Sequence, residues 1–333
     1  MHAVRILIVG GAGMLGRKLA RELAGEGSLG GESISHLSLV DVVEPERGSR
    51  AAFGVDTVVA DVAEPGVAGD LVSRRPDVIF HLAAVLSSEA EADLEKGYRV
   101  NLDGTRFLLD GVRRMGPGYC PRVVFASSIA VFGAPLPDVI GDDQSLTPLT
   151  SYGTQKAIGE LLLSDYSRRG FLDGVGIRLP TICVRPGKPN QAASSFFSSI
   201  IREPLNGQEA VLPVPDDTRH WHASPRAAVR FLLHAATIDA AALGDGRCLT
   251  MPGVSVTVAE QIAALRRVAG DEVVGRIRRE PDETVMRIVA GWPRKFDARR
   301  ASALGFKAET DFEEIIRVHI EDDRGGRIAV GGL

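Results

Sequence analysis

The feature that most constrains this chain is its beginning. A strand-like run, Val4–Val9, leads straight into Gly10-Gly11-Ala12-Gly13-Met14-Leu15-Gly16. Gly10, Gly13 and Gly16 stand three apart, between a strand and a helical pattern. That spacing suits a pyrophosphate. The first glycine permits a tight turn, the second lets backbone approach the phosphates, and the third lets the helix pack closely on the sheet. The free N–H groups of the helix's first turn, around Met14 and Leu15, then face the negative charge with the helix dipole behind them. The loop predicts a dinucleotide-binding domain.

The pattern downstream agrees. Strand candidates fall at Val4–Val9, Leu37–Val43, Thr57–Ala60, Val78–Leu82, Val123–Ala126 and Val175–Leu179. They are apolar on both faces, as strands of a parallel sheet covered by helices must be. Helical patterns at Gly13–Leu23, Ala90–Arg114 and Ser151–Arg169 alternate with them. The rhythm predicts an α/β chain, a Rossmann doubly wound parallel sheet. After Leu179 the texture changes. Residues 180–225 are rich in Pro, Gly and Ser. Helix candidates follow at Pro225–Ala236, Ala259–Val268 and Phe312–Glu321, with a strand at Cys248–Met251.

A length of 333 residues fits two domains. The Rossmann domain is expected at 1–180 plus about 225–253. A smaller, discontinuous α/β substrate domain is expected over about 181–224 plus 254–322, at the sheet's C-terminal edge where ligands bind. Residues 323–333 read as a flexible tail. The net charge of −4, without a basic stripe, argues against a nucleic-acid partner. No stretch is apolar enough to span a membrane, and no secretory leader is apparent. Cys120, Cys183 and Cys248 lack metal or redox spacing, which fits a cytoplasmic location.

Asp41 closes the second strand of the βαβ unit. A carboxylate there accepts hydrogen bonds from ribose hydroxyls and repels a 2′-phosphate, which favours NAD over NADP. A simple strand-end turn is the alternative. Gly25–Ser35 reads as an insertion lengthening the gap from Gly16. Asp61 is a candidate for the adenine end or for a cap.

Tyr152-Gly153-Thr154-Gln155-Lys156 opens a helix and puts Tyr152 and Lys156 on one face, a turn apart. A tyrosine hydroxyl titrates near pH ~10 and is a poor base at neutrality. A neighbouring ammonium favours its phenolate. Tyr152 would then take a proton from a substrate hydroxyl, while Lys156 contacts the nicotinamide ribose. Ser127 and Ser128 follow the fifth strand, and Ser128 is placed to bond the reacting oxygen. Asn101 sits on the long helix, where an asparagine weakens the helix unless a water or backbone partner compensates; a solvent-facing polar residue is the alternative.

These pieces, in this order and spacing, resemble the extended short-chain dehydrogenase/reductase superfamily, whose members include NAD-dependent epimerases and dehydratases. The matching residues are the three glycines, Asp41, Asp61-Val62, His81-Leu82-Ala83-Ala84, Asn101, Ser128 and Tyr152-x-x-x-Lys156. The resemblance implies a catalytic set of Ser128, Tyr152 and Lys156, with Asn101 supporting a proton relay. It implies cofactor contacts from Val62, from Leu82, Ala83 and Ala84 under the adenosine ribose, from Ser127, and from Pro180 against the nicotinamide. Phe132 departs from the tyrosine that many relatives carry. The helices at Ala90–Arg114 and Ser151–Arg169 resemble a pair that forms homodimers.

Within the superfamily, Leu146–Lys156, Gly176–Asn190 and Arg219–Pro225 resemble NAD-dependent dehydrogenases of small sugar acids. That implies oxidation of a C2 hydroxyl. The nucleotide-sugar epimerase is the alternative, and the departures after Arg219 weaken it. A sugar acid's carboxylate calls for an Arg or Lys clamp. Arg178, Arg185, Lys188 and Arg219 are candidates, with Arg185 and Arg219 favoured. His220 and His222 lack the companions of a metal site and read as hydrogen-bonding groups for substrate hydroxyls.

Overall fold

The computed structural model describes residues 3–48, 51–187, 193–244 and 246–328. Residue contacts divide the chain into two compact units. The first is Met1–Val131, Pro148–Leu179 and Val229–Met251; the second is Phe132–Thr147, Pro180–Ala228 and Pro252–Leu333.

In chain order the strands are β1 (Val4–Val9), β2 (Ser28–Leu29), β3 (Glu32–Asp41), β4 (Gly54–Val59), β5 (Val78–His81), β6 (Arg122–Ser128) and β7 (Asp173–Leu179). Then come β8 (Thr181–Ile182), β9 (Ala210–Leu212), β10 (Arg219–Ala223), β11 (Cys248–Thr250), β12 (Val254–Thr257) and β13 (Ile277–Arg279). The helices are α1 (Met14–Glu26), α2 (Val67–Ser73), α3 (Ser87–Ala92), α4 (Leu94–Gly97), α5 (Gly104–Arg114) and α6 (Ser151–Arg168). They continue with α7 (Phe196–Leu205), α8 (Pro225–Thr237), α9 (Val258–Ala269), α10 (Asp271–Val274), α11 (Glu283–Ala290), α12 (Arg299–Ala303) and α13 (Phe312–Arg324).

In the first unit the strands β4-β3-β1-β5-β6-β7-β11 lie side by side, all parallel. The order runs one way from β1 to β4 and the other way from β5 to β11. This is the doubly wound Rossmann arrangement, and its switch point lies between β1 and β5. Helices need apolar strands beneath them. Ile6–Val9, Val78–Phe80 and Val123–Phe125 are accordingly buried throughout.

Two expectations about this unit change. The Gly25–Ser35 insertion is a hairpin, in which β2 turns at Gly30-Gly31 and pairs antiparallel with the start of β3. The helix expected over Ala90–Arg114 is not continuous. It begins at Ser87 and breaks at Asp93, whose carboxylate caps the Lys96 amide. It then widens into a π-helical turn at Tyr98–Asp103 before α5. Such widened turns insert an extra residue and concentrate at functional sites. Asn101 sits inside this one.

The second unit holds a small sheet, β12-β10-β8, and a parallel pair, β13 and β9. Its core gathers Phe196, Phe197, Ile200 and Ile201 from α7, Ile262 and Leu265 from α9, and Phe312, Ile315 and Ile316 from α13. Phe132–Thr147 falls in this unit rather than with the residues before it. Ile140 exchanges backbone hydrogen bonds with Lys295 and Asp297, Arg300 donates its amide to Asp142, and the Phe132 ring lies 5.6 Å from Phe296. Pro225–Ala228 also belongs here. Asp323 and Arg324, expected in the tail, are helical instead. Helix α13 runs through Arg324 and ends on Gly325 in the left-handed region. Residues 329–333 lie outside the described residues.

Candidate active site

The glycine loop connects β1 to α1. The Gly10 and Gly11 amides both donate to the Val40 carbonyl. Gly10 has φ +98°, and a Cβ there would lie 2.6 Å from the Ala83 amide nitrogen. A Cβ on Gly16 would meet the Gly10 carbonyl oxygen at 2.1 Å. A side chain at either position would close the turn. No side chain caps the start of α1, and its first turn, which holds Met14, Leu15 and Gly16, carries no acidic residue. The loop, the uncapped helix end and Leu82–Ala84, whose first two amides donate to the Val9 carbonyl, form one cradle at the switch point. These residues fit a dinucleotide's pyrophosphate.

Asp41 ends β3 beside the loop. One carboxylate oxygen accepts the Ala12 amide at 2.9 Å and the other the Val42 amide at 2.8 Å. The charge is thereby fixed against the cradle. Asp61 accepts the Ala63 amide and the Arg99 guanidinium. Partial burial would raise its pKa, but Arg99 and Ala63 hold it below the usual carboxylate value. Asp61 thus braces the turn after β4 and caps no helix, since Gly66 precedes α2. Val62 beside it is buried.

The proton-transfer residues meet where β6 ends against α6. Thr150 caps α6 by accepting the Gly153 amide. A Cβ on Gly153 would lie 2.1 Å from the Ala130 carbonyl, so only glycine lets this helix start sit on the segment after Ser128. The Lys156 ammonium is buried. It donates to the Ala126 carbonyl at 2.9 Å and lies 4.9 Å from the Phe125 ring centroid and 5.7 Å from that of Tyr152. Burial brings its pKa down to about 8, with Glu160 acting in the opposite direction. It therefore remains mostly cationic at neutral pH. Ser128 Oγ accepts the Ala130 amide at 3.1 Å, which leaves its hydroxyl proton to donate.

Asn101 braces this region. Its side-chain amide donates to Gln155 on α6 at 2.7 Å and to the Val85 carbonyl, while its oxygen accepts the Val85 amide. Its backbone carbonyl accepts the Thr105 hydroxyl. His81 Nε2 then donates to Thr105 Oγ1 at 2.8 Å. Burial and the nearby Lys156 push the His81 imidazole down to about 3, so it is neutral.

A model of the NAD-dependent epimerase/dehydratase family matches residues 6–235. The chain belongs to that family. It is 50% identical to the D-erythronate dehydrogenase of Cupriavidus necator, over 96% of this chain and 98% of that one. It is 42% identical to the D-erythronate dehydrogenase of Haemophilus influenzae, over 96% of this chain and all of the other. A crystal structure described as a nucleoside-diphosphate-sugar epimerase from Agrobacterium tumefaciens superposes with a TM-score of 0.96 at 62% identity. The match covers 98% of this chain and 96% of that one.

The residues expected to grip a substrate fare differently in this family member. Arg178 is buried in a bidentate pair with Glu160, not presented as a clamp. Arg219 pairs with Glu260 at 3.2 Å and donates to the Ser255 carbonyl, so its charge already has a carboxylate. Arg185 donates to the Ile182 carbonyl and to Ser194. Lys188 lies outside the described residues. His220 and His222 are corrected outright. Both point to the covered face of β10. His220 stacks on Phe197 at 5.1 Å, donates from Nδ1 to the Pro293 carbonyl and accepts the Thr181 hydroxyl at Nε2. His222 is fully buried and accepts a hydrogen bond from Gln261. Burial lowers both their pKa values, His220 to about 4, so both are neutral core residues.

Ser127 is also spoken for, because its hydroxyl donates to Glu160 at 2.5 Å. Glu160 escaped the sequence reading. Its signal was available in the register Tyr152-x-x-x-Lys156-x-x-x-Glu160, three residues on one helical face.

Proposed function

We propose that this chain is an NAD-dependent dehydrogenase that oxidises the C2 hydroxyl of a small sugar acid, D-erythronate first among them. The observation that carries the chemistry is the Lys156 ammonium buried beside the Tyr152 ring, where it favours the phenolate over the phenol. Tyr152 then accepts the proton from the substrate's C2 hydroxyl. Ser128 donates its hydroxyl proton to the same oxygen and holds it in place. Bound NAD supplies the hydride acceptor, so the C–H and O–H bonds both break and a 2-oxo acid results. Asp41, fixed beside the loop, disfavours the 2′-phosphate of NADP. The likeness to the two D-erythronate dehydrogenases supports the choice of acid. Arg185 is retained as the carboxylate clamp. The second unit serves as the substrate-binding domain, with Pro180 against the nicotinamide.

The test is a screen of four-carbon and neighbouring aldonic acids with NAD and NADP, following reduced cofactor. Turnover of D-erythronate with NAD is expected. No turnover of any aldonic acid, with interconversion of a nucleoside-diphosphate sugar and no net reduction, overturns the reading. That second activity is favoured by the description of the Agrobacterium structure.

The protein is further proposed to be a cytoplasmic homodimer. No helix among the described residues is long and apolar enough to cross a membrane. Leu161 on α6 and Leu94 on α4 are exposed by more than half, an apolar surface that a second copy would cover. Sedimentation that returns a monomer removes the dimer.

A further inference from the structure

Beneath the proposed catalytic lysine lies a charge network that the mechanism above does not use. Glu160 is buried one turn beyond Lys156 on α6. It accepts the Ser127 hydroxyl from β6 at 2.5 Å and the Arg178 guanidinium from β7 at 2.8 Å and 3.1 Å. Arg178 also reaches Thr250 on β11. Both Arg178 and Glu160 are nearly sealed from water. Such a pair seldom stabilises a fold more than apolar residues of the same volume would, so its presence invites another explanation.

Lys156 supplies one. Its only recorded hydrogen bond among the described residues runs to a neutral carbonyl, that of Ala126. The groups near it are the Phe125 and Tyr152 rings, His81 on β5, held neutral by burial and by Lys156 itself, and the Glu160 carboxylate, which acts on it electrostatically. Of these, Glu160 alone is an acidic side chain.

We propose that Glu160 is a positioning residue for Lys156. Clamped by Ser127 and Arg178, its carboxylate is a fixed counter-charge beneath the buried ammonium and keeps that ammonium protonated without touching substrate. Arg178 and Ser127 stop Glu160 from swinging up to pair with the lysine directly, which would pull the ammonium away from Tyr152. The proposal rests on the dehydrogenase reading for its purpose, but not for its test.

The test follows Lys156 itself in the cofactor-free protein. Isotope-labelled lysine side chains are titrated by NMR; the others are Lys18, Lys96, Lys188, Lys295 and Lys307, and Lys156→Arg assigns the signal. In Glu160→Gln the Lys156 midpoint is expected to fall by about one pH unit or more, the scale of losing an opposite charge at close range. Glu160→Asp should restore it, and Ser127→Ala, which keeps the charge, should leave it in place. A purely structural role would unsettle the fold in all three without moving the midpoint selectively. Should Glu160→Gln fail to fold, Glu160→Gln/Arg178→Gln removes the pair together, and its midpoint is expected to fall by a smaller amount. An unmoved midpoint in whichever variant folds overturns the proposal. Failure of the dehydrogenase reading appears separately, as absent turnover in the unaltered protein.

Discussion

Two buried polar clusters in this molecule look equivalent when written as residue types. One joins β6 to α6 with Ser127, Ser128, Lys156 and Glu160. The other lines β10 with His220 and His222, backed by Thr181 and Gln261. In the first, Ser128 accepts an amide and keeps a proton to donate, and Lys156 holds a charge against a tyrosine ring. In the second, both nitrogens of His220 are engaged, His222 accepts from Gln261, and burial strips both rings of charge. Reactive residue types become a site only where their network leaves hydrogen-bonding capacity or charge directed at a ligand. Where burial seals the groups away from any ligand and strips their charge, the same types are core.

Tyr152→Phe tests that contrast most severely. It removes one oxygen from the open cluster and leaves the ring beside Lys156. Turnover is expected to fall by about 10²–10⁴-fold, the usual worth of general acid–base help. NAD affinity, followed by fluorescence titration, should hardly change. Unaltered turnover would make the β6–α6 cluster as structural as the one on β10.

The open cluster was legible in the sequence because its geometry is local. Tyr152 and Lys156 are related by one helical turn, and the three glycines by their place after a strand, so spacing put them together and the superfamily resemblance supplied the chemistry. The closed cluster misled because closure is tertiary. Nothing near His220 in sequence announces Phe197, Pro293 or Thr181. The strands of that unit were missed for a related reason. β8, β9 and β10 run two, three and five residues in a stretch rich in Pro, Gly and Ser, too short for periodicity to register. The parallel sheet was read correctly because unbroken apolar runs follow directly from burial on two faces. The helix carrying Asn101 was read too simply, since apolar spacing cannot reveal the break at Asp93 or the widened turn.

The glycine loop sharpens the comparison in a smaller step. Gly16→Ala would set a Cβ 2.1 Å from the Gly10 carbonyl, whereas Gly13→Ala meets the same oxygen at 3.3 Å. Forced overpacking costs about 1–3 kcal/mol. NAD affinity is expected to weaken by about 10–100-fold in Gly16→Ala and far less in Gly13→Ala. Equal effects would mean the loop has room to spare and that its spacing is not what binds the cofactor.

Acid sensitivity follows from the neutral histidines. His81, His220 and His222 all have folded-state pKa values below the unfolded 6.5. Between those values the unfolded chain binds more protons than the folded one, so stability falls as pH drops below about 6.5. Each histidine should contribute about 1 kcal/mol of loss between pH 7 and 5.5. Thermal unfolding across that range should show Tm falling, and His222→Gln should flatten the slope by one histidine's share. A slope unchanged by His222→Gln would mean that the closed cluster takes up protons without unfolding.

The smallest expected effect concerns Arg219, which the sequence placed among the carboxylate clamps. Its guanidinium is about one-third exposed and Glu260 about one-half, so their pair is a screened surface interaction worth less than about 1 kcal/mol. Glu260 does not depend on it. The carboxylate is held below its ordinary pKa first by the Thr257 amide, in the capping box that starts α9, and only then by Arg219. Arg219→Gln should therefore leave α9 capped, Tm nearly constant, and KM for the sugar acid within about twofold. A clamp would behave otherwise. Losing a charged hydrogen bond to a substrate carboxylate costs about 1.5–3 kcal/mol, which raises KM by about 10–100-fold. A rise of that size in Arg219→Gln, with Tm constant, would show that the guanidinium leaves Glu260 when substrate binds. It would also return β10, at its first residue, to the open kind of cluster.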